Sequence, residues 1–353
     1  MSIFHSIRKR TLLYRQALLN RAYISANPCN RKMLVIHLDH LGDVCTLIPS
    51  VTALSKTFNV DIVCNFGLEE VWETFLPKAR IFPLHETVWS SKKIREQIPT
   101  IFHEIYEAVF VPTIAPFSCF LGSLAASDKR YGMIENGKHF KGSSIIFDNI
   151  HNAASEEHVS LRFRKLFELY PKVHLDLNQS PVSHHHSMDS YTLIHPGGKW
   201  KPRRWPKERF VQVAQALSKK GHLCKILIHE NERELLEFFT KNDRSDNGFS
   251  IIVTKSTSDL INAVQKCSLF IGNDSGPAHL ANLYKKNSII LWGPGNYERI
   301  RPLGSNNTIL IHDIDCRPCR QYKNPDSCQR GENLCLLNIS VQNVLDVLQE
   351  NTL

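Results

Sequence analysis

Residues 33–44 read MLVIHLDHLGDV. The apolar run Met33–Leu38 has the length and composition of a buried strand, and it leads into a short polar loop. Apolar residues at helical spacing follow over residues 43–56, and Val60–Cys64 is predicted to be a second strand. A strand, a helix and a strand in this order predict the opening unit of a parallel α/β sheet.

The same alternation continues along the chain. Weaker strands are predicted at Arg80–Pro83 and Ala108–Val111, and a helix at Glu157–Tyr170. Residues 135–156 are polar and rich in Gly and Asn, which predicts a surface loop. The second half contains five strand candidates: Tyr191–His195, Leu223–His229, Phe249–Val253, Ser268–Ile271 and Ser288–Trp292. We therefore predict two Rossmann-like, doubly wound α/β domains that face a central cleft, where such sheets bind ligands.

Composition shifts suggest the boundaries between these parts. The stretch before the second alternation collects Ser, Pro, Asp and His, which is typical of a linker. The predicted organisation is a basic amphipathic leader at 1–30, an N-terminal acceptor domain at 31–178, a linker at 179–190, a C-terminal donor domain at 191–338 with a Cys-rich segment at 316–335, and a C-terminal helix at 339–353.

Charge and hydropathy restrict the possible partners. No apolar run reaches the roughly 18–20 residues that a membrane-spanning helix needs. The net charge of +9 favours anionic partners, but no nucleic-acid recognition motif is present, so nucleic acid is not an expected partner. Residues 1–32 carry seven basic residues and no acidic one. They predict either a basic helix lying on an anionic membrane surface or a solvated basic tail.

The loop after the first strand holds the first candidate site. Gly42 would permit a tight turn, and Asp43 would then begin a helix at the edge of the sheet. A carboxylate in that place can remove a proton from a sugar hydroxyl as a general base. Asp is also a favoured helix N-cap, so a capping role is the alternative. His37 and Asp39 flank the same loop.

A basic loop follows the first strand of the second domain. Residues 195–206 read HPGGKWKPRRWP, with four basic residues close together and Pro206 in place to open a helix. Arg binds phosphate in bidentate fashion and Lys as a point charge, so the loop suits a diphosphate. The alternative is a solvated basic loop in which Trp205 is a packing anchor.

A third motif, IGNDSGPAHLA at residues 271–281, combines the end of a strand with the start of a helix. The free N–H groups of a helix start form an anion site. Asp274 would either bind donor hydroxyls or cap the helix. Residues 292–295, WGPG, end another strand and predict a further loop at the same edge.

Taken together, these motifs resemble glycosyltransferase family 9, the heptosyltransferase-like enzymes of lipopolysaccharide synthesis. They occur in the family's order and cover roughly residues 33–350. The resemblance implies a GT-B fold, an inverting mechanism that needs no metal or other cofactor, and an ADP-heptose-type donor. It also implies a lipid-linked saccharide acceptor and a cytoplasmic, peripheral location at the inner face of the membrane.

Site residues carry over from the resemblance by position. Asp43 matches the base, with His37, Asp39 and Gly42 on the acceptor side, and Arg203 matches the basic residue at the donor phosphate. The expected donor-binding residues are His195, Lys199, Arg203, Asp274, Ser275, Gly276, Pro277 and His279. The family often has Arg in place of His37 and Lys in place of Arg203. Two other functions stay open: a sugar-nucleotide epimerase of GT-B fold, and a non-catalytic sugar-nucleotide-binding protein.

The cysteines fall into two groups. Six are scattered and, without an export signal, are expected to be reduced thiols. The other four, Cys316, Cys319, Cys328 and Cys335, cluster near the C-terminus. Four thiolates with a leading C-x-x-C can hold a structural zinc. The later spacings differ from those of a zinc ribbon, so reduced thiols or a conditional disulfide are the alternative.

Overall fold

A computed structural model describes residues 32–85, 104–127, 129–137, 143–171, 173–175, 190–242, 248–319, 328 and 330–350. They form two compact units that divide after residue 181. No helix in these ranges is both long and apolar enough to cross a membrane. The leader at 1–30 and all but the last residue of the linker at 179–190 lie outside the described residues, so those boundaries stay predictions.

The first unit, residues 1–181, contains eight strands and five helices within the described ranges. The strands are β1 Lys32–His37, β2 Asn59–Asn65, β3 Arg80–Leu84, β4 Ile105–Tyr106, β5 Ala108–Val111, β6 Ala126–Ser127, β7 Arg130–Glu135 and β8 Asn149–Ala153. The helices are α1 Leu41–Ser55, α2 Glu69–Phe75, α3 Pro116–Leu124, α4 Ser143–Ile146 and α5 Val159–Glu168.

Six of these strands form one parallel sheet in the order β3-β2-β1-β5-β7-β8. The order reverses at β1, which pairs with β2 on one side and β5 on the other. In a doubly wound sheet this reversal leaves a crevice at the carboxyl ends of the two central strands. Residues 33–36 of β1 are wholly buried, as a strand covered on both faces requires. Short strands β4 and β6 pair separately.

Helix α1 packs because its apolar residues share one face. Val44, Leu47, Ile48 and Val51 recur at spacings of three and four, and all are buried. The helix therefore lies firmly on the sheet, and its first turn is held at the carboxyl end of β1.

The interpretation of residues 135–156 as a surface loop is wrong. This stretch contains α4 and β8, and β8 runs parallel to β7 from Tyr131↔Asn149 to Glu135↔Ala153. The sequence NIHNA lacks the apolar character of a central strand because β8 is an edge strand, paired on one side and mostly accessible to water on its faces.

The second unit, residues 182–353, repeats this architecture. Its strands are β9 Tyr191–His195, β10 Cys224–His229, β11 Phe249–Thr254, β12 Cys267–Asn273, β13 Asn287–Trp292 and β14 Asn307–Ile311. Its helices are α6 Lys207–Lys219, α7 Arg233–Asn242, α8 Thr257–Lys266, α9 Gly276–Leu283, α10 Tyr297–Ile300, α11 Leu334–Leu337 and α12 Val341–Glu350, with a 3₁₀ turn at Lys201–Arg203.

The sheet order in this unit is β11-β10-β9-β12-β13-β14, again all parallel. Its reversal lies at β9, so the loops after β9 and β12 meet at the crevice position. The prediction of two doubly wound domains is confirmed unit by unit. Strand β14 was not predicted. The C-terminal helix begins at Val341, and Leu336, Ile339 and Val344 join the buried core of this unit.

Candidate functional site

Asp43 lies in the first turn of α1, as its third residue. The N-cap position belongs to His40, whose side chain makes no capping hydrogen bond. The alternative that Asp43 is the N-cap residue is therefore wrong. Gly42 is the second residue of the helix, so the chain turns earlier, over residues 38–40. The carboxylate of Asp43 lies near the positive end of the helix dipole.

His37, the last residue of β1, is fully buried. Its Nε2 lies 3.3 Å from Oδ2 of Asp39, and its ring meets Phe163 edge-on at 5.7 Å between centroids. Burial lowers the pKa of His37, while the charges of Asp39 and Asp43 act in the opposite direction. The imidazole is therefore held in its neutral form close to both candidate carboxylates.

Asn65 braces the loop that precedes Asp43. It is the last residue of β2, and its Nδ2 donates to the carbonyl oxygens of Leu38 and, at 3.3 Å, Asp39. These bonds tie the loop after β1 to the neighbouring strand. Sequence reasoning missed Asn65, and the available signal was a polar residue that ends an otherwise apolar strand.

In the second unit, Arg203 and Asp274 form an ion pair. Arg203 Nη1 lies 3.1 Å from Asp274 Oδ2, and the Asp274 side chain is only 2% exposed. Burial raises the pKa of Asp274, whereas Arg203 acts to lower it. The guanidinium also lies over the Trp200 ring, 5.0 Å from its centroid. Ser275 occupies the N-cap of α9, so the alternative that Asp274 caps this helix is wrong.

Asn273 holds the basic loop against β12. It is fully buried, its Nδ2 donates to the carbonyls of Pro196 (2.9 Å) and Gly197 (3.0 Å), and its Oδ1 accepts from the N–H of Trp205 (2.9 Å). Both ends of the loop are thus fixed by one side chain. Asn273 precedes the predicted donor residues, and its role was also missed because the contacts are long-range.

Glu232 is a third residue that sequence reasoning missed. Its carboxylate accepts from the backbone N–H groups of Gly198 (3.3 Å) and His229 (3.1 Å). A Cβ on Gly197 would lie 2.3 Å from Glu232 Oε1, which explains a glycine at that position. Arg204 donates to the Gly198 carbonyl at 2.7 Å and lies 3.8 Å from Glu232. Arg204 thus supports the loop.

The remaining predicted donor residues lie on β9, on the basic loop and at the start of α9. Nδ1 of His195, at the end of β9, lies 3.2 Å from Oγ of Ser275, and burial lowers the pKa of His195. Gly276 and Pro277 open α9, which also carries His279, while Lys199 lies on the basic loop. Gly295 comes so close to Asp274 that a Cβ there would meet its Oδ2 at 2.5 Å. The loop after β13 therefore closes over the buried carboxylate.

Trp205 is a packing anchor, as the alternative reading of the basic loop proposed. It is 1% exposed, and its Nε1 donates to the Ile339 carbonyl at 2.8 Å. Arg203 and Arg204 contact protein carboxylates and backbone, so they depart from the solvated-loop interpretation, whereas Lys199 and Lys201 are exposed and agree with it.

The Cys-rich segment packs against the same loops. The N–H of Cys319 donates to the Pro294 carbonyl at 3.1 Å, and Leu336 lies against Gly293. Burial, with the nearby thiols as smaller contributions, raises the pKa of Cys335 to about 11. Among the described residues, no three His, Cys, Asp or Glu side chains are placed to hold a metal ion. The structural zinc at the four thiols therefore stays a prediction.

Comparison with known sequences gives a consistent family. The family model "Glycosyltransferase family 9 (heptosyltransferase)" matches residues 100–329. Two lipooligosaccharide heptosyltransferase 2 proteins from Campylobacter jejuni subsp. jejuni are similar. One is 26% identical over 161 residues, 44% of this chain and 50% of the relative. The other is 27% identical over 157 residues, which are 43% of this chain and 48% of the relative. The chain spans about half the length of the curated relatives it matches.

Solved structures extend the likeness over nearly the whole chain. E. coli heptosyltransferase WaaC with ADP matches with a TM-score of 0.74 at 15% identity, over 91% of this chain and 100% of that one. A family 9 glycosyltransferase from Veillonella parvula DSM 2008 matches with a TM-score of 0.74 at 16% identity. The match covers 92% of this chain and 98% of that one. E. coli ADP-heptose lps heptosyltransferase II matches with a TM-score of 0.69 at 16% identity. The match covers 91% of this chain and 100% of that one. At such identities the likeness concerns the fold, and it confirms the GT-B class.

Proposed function

The chain belongs to glycosyltransferase family 9, and from that premise we propose that it is a glycosyltransferase moving a heptose from a nucleotide diphosphate donor to a lipid-linked saccharide. The donor is ADP-heptose and the acceptor a lipopolysaccharide core. The solved relatives with ADP and with an ADP-heptose analogue support the donor, and the names of the Campylobacter relatives support the acceptor class.

The observation that carries this proposal is the Arg203–Asp274 pair at the crevice position of the second sheet. The cation lies beside the start of α9, whose free N–H groups and dipole attract an anion. A diphosphate bound there would meet Arg203 on one side and the helix start on the other. The buried, braced loop keeps these donors in place, and such preorganised groups stabilise negative charge effectively.

In the proposed reaction, Asp43 removes the proton from an acceptor hydroxyl. The acceptor oxygen forms a bond to the anomeric carbon of the heptose as the bond from that carbon to the diphosphate breaks. The electron pair leaves with ADP, and Arg203 with the start of α9 stabilises the charge. Attack opposite the leaving group inverts the anomeric configuration. In this scheme no step requires a metal ion.

Donor recognition is tested by thermal stabilisation of the full chain. A ligand at a hundred times its Kd adds roughly 2.7 kcal/mol to the unfolding free energy. We expect ADP and ADP-heptose to raise the Tm, and UDP- and GDP-sugars to leave it unchanged. A Tm raised by UDP-sugars alone would reject the ADP-heptose donor. Turnover of ADP-heptose without any acceptor would favour the epimerase, and binding without turnover the non-catalytic protein.

We further propose a cytoplasmic, peripheral location at the inner face of the membrane. The acceptor is lipid-linked, and the seven basic residues of residues 1–32, unaccompanied by acidic ones, suit an anionic lipid surface. The described helices offer no membrane span. Attraction between the leader and lipid would keep the enzyme close to its acceptor.

A further inference from the structure

The first unit contains a cavity of about 430 Å³ at the carboxyl ends of β1, β2 and β3. Its lining includes His40 and Leu41 after β1, Asn65 and Phe66 at the end of β2, and His85 after β3. The volume lies within the range of about 300–1,000 Å³ found for small-molecule sites. None of the donor-binding residues described above belongs to it.

Phe66 and His85 form an aromatic platform in this cavity: the two rings lie face to face, so the platform offers the outer face of one ring. Their rings stack with centroids 3.9 Å apart and planes 23° from parallel. Phe66 is nevertheless 57% exposed, so one of the larger apolar side chains of the unit faces water. The face of an aromatic ring carries partial negative charge. The C–H groups on the face of a sugar ring carry partial positive charge, so the two surfaces are complementary.

The polar groups beside the platform suit hydroxyls. Asn65 Nδ2 is occupied by the loop carbonyls, whereas its buried Oδ1 has no hydrogen-bond partner among the described residues. Leaving a buried acceptor unpaired is unfavourable, and a hydroxyl donor would relieve it. No Asp, Glu, Lys or Arg is among the described residues that line the cavity. None of these described lining residues carries a full positive charge that would balance a phosphate or carboxylate, so they suit an uncharged ligand.

The cavity lies at the start of α1, the helix that carries the proposed base Asp43. Leu41, which lines it, is the first residue of α1, and Asp43 lies two residues further in the same turn. We propose that this cavity is a subsite for an uncharged saccharide ring, which stacks on the outer face of Phe66 while His85 supports that ring from behind. That the ring belongs to the acceptor rests on the proposed function, since the acceptor is there assigned to the unit that carries Asp43.

Saccharide binding tests the subsite without any transfer. Saturation-transfer NMR on the full chain would use methyl α-D-mannopyranoside as a neutral probe and mannose 6-phosphate as an anionic one. We expect saturation at the ring C–H groups of the neutral probe, weakened about tenfold in Phe66→Ala and in His85→Ala. The matched control, Leu161→Ala, removes another exposed apolar side chain of this unit and should change nothing. Equal saturation in Phe66→Ala and the wild type, no saturation of either probe, or stronger binding of the phosphate would overturn the proposal.

A kinetic arm separates this proposal from the proposed function. With ADP-heptose and a core-truncated lipopolysaccharide, Phe66→Ala should raise the KM for the acceptor about tenfold and leave the KM for the donor unchanged. Phe66-dependent saccharide binding by a protein that transfers no heptose would keep the subsite and reject the function. Heptose transfer with an unchanged acceptor KM in Phe66→Ala would keep the function and reject the subsite.

Discussion

Arg203 has two roles, and a single substitution would disturb both of them at once. It neutralises the buried carboxylate of Asp274, and in the proposed function it binds the donor diphosphate. Arg203→Ala should destabilise the protein by on the order of 3 kcal/mol because an unpaired charge stays buried, a figure reduced by the partial exposure of Arg203. It should also weaken donor binding, and Arg203→Lys should recover part of both losses.

The double variant Arg203→Ala, Asp274→Asn separates these roles. It removes the buried charge together with its partner, so the unfolding free energy should return toward that of the wild type. Donor affinity, measured by calorimetric titration with ADP, should stay low because the phosphate contact is still missing. If the double variant bound ADP as tightly as the wild type, Arg203 would have only a structural role.

His37 should make stability depend on pH. Its pKa is lowered in the folded state by burial, against the pull of Asp39 and Asp43, and Phe163 packs on its ring. Below about pH 6.5 the unfolded chain takes up a proton at this position that the folded state binds only at lower pH. The unfolding free energy should therefore fall as the pH is lowered through this window.

The buried His195 adds a contribution of the same sign. His37→Gln should flatten the pH dependence measured by urea unfolding between pH 7 and pH 5. An unchanged slope in His37→Gln would show that His37 ionises alike in both states.

At the scale of elements, the sequence patterns predicted most strands, including the edge strands β3 and β11. The central strand β7 and the edge strands β8 and β14 were missed. The segment β1–α1–β2 was found because a strand covered on both faces must be continuously apolar. Strands β8 and β14 lie at sheet edges, where water accepts polar side chains and the backbone ladder supplies the pairing. Arg203 and Asp274, which the sequence analysis named in two separate motifs, form an ion pair, and their donor-binding role stays a prediction. The side chains that were missed hydrogen-bond to loops distant in sequence; they are Asn65, Asn273 and Glu232. Local sequence patterns carry no information about such long-range contacts.

The loop that carries Arg203 is tied to the C-terminal segment by Trp205. Trp205→Phe removes the indole N–H that donates to Ile339 and should cost about 1 kcal/mol for the hydrogen bond. Trp72→Phe is a matched control, since Trp72 is equally buried but its Nε1 has no hydrogen-bond partner among the described residues. Hydrogen exchange reports the unfolding free energy of each unit separately. Equal losses in both variants would contradict a specific anchoring role.

At the scale of the whole molecule, the net charge of +9 is concentrated in the leader. Deleting residues 1–28 should weaken binding to phosphatidylglycerol vesicles and make the remaining binding less dependent on salt, because screening acts on the charges that were removed. Vesicle sedimentation at low and high ionic strength measures both effects. Phosphatidylcholine vesicles serve as the control. Equal binding by the truncated and full-length chains would reject the tether.

We propose that this chain transfers a heptose and that Asp43 is the base. Asn at this position keeps the shape and loses the charge, so α1 should lose at most about 1 kcal/mol of favourable dipole interaction. Proton removal is lost, which usually costs about 10² to 10⁴ in rate. Donor binding should persist, because the proposed donor site lies in the second unit.

The deciding measurement is single-turnover transfer from ADP-heptose to a core-truncated lipopolysaccharide, followed by mass spectrometry of the acceptor. The wild type should add one heptose. Asp43→Asn should bind ADP normally, remain folded and transfer roughly 10² to 10⁴ times more slowly. Near-normal transfer by a folded Asp43→Asn would remove Asp43 from the chemistry and make Asp39 the next candidate. A wild type that binds ADP but never extends the acceptor would contradict the proposed heptose transfer.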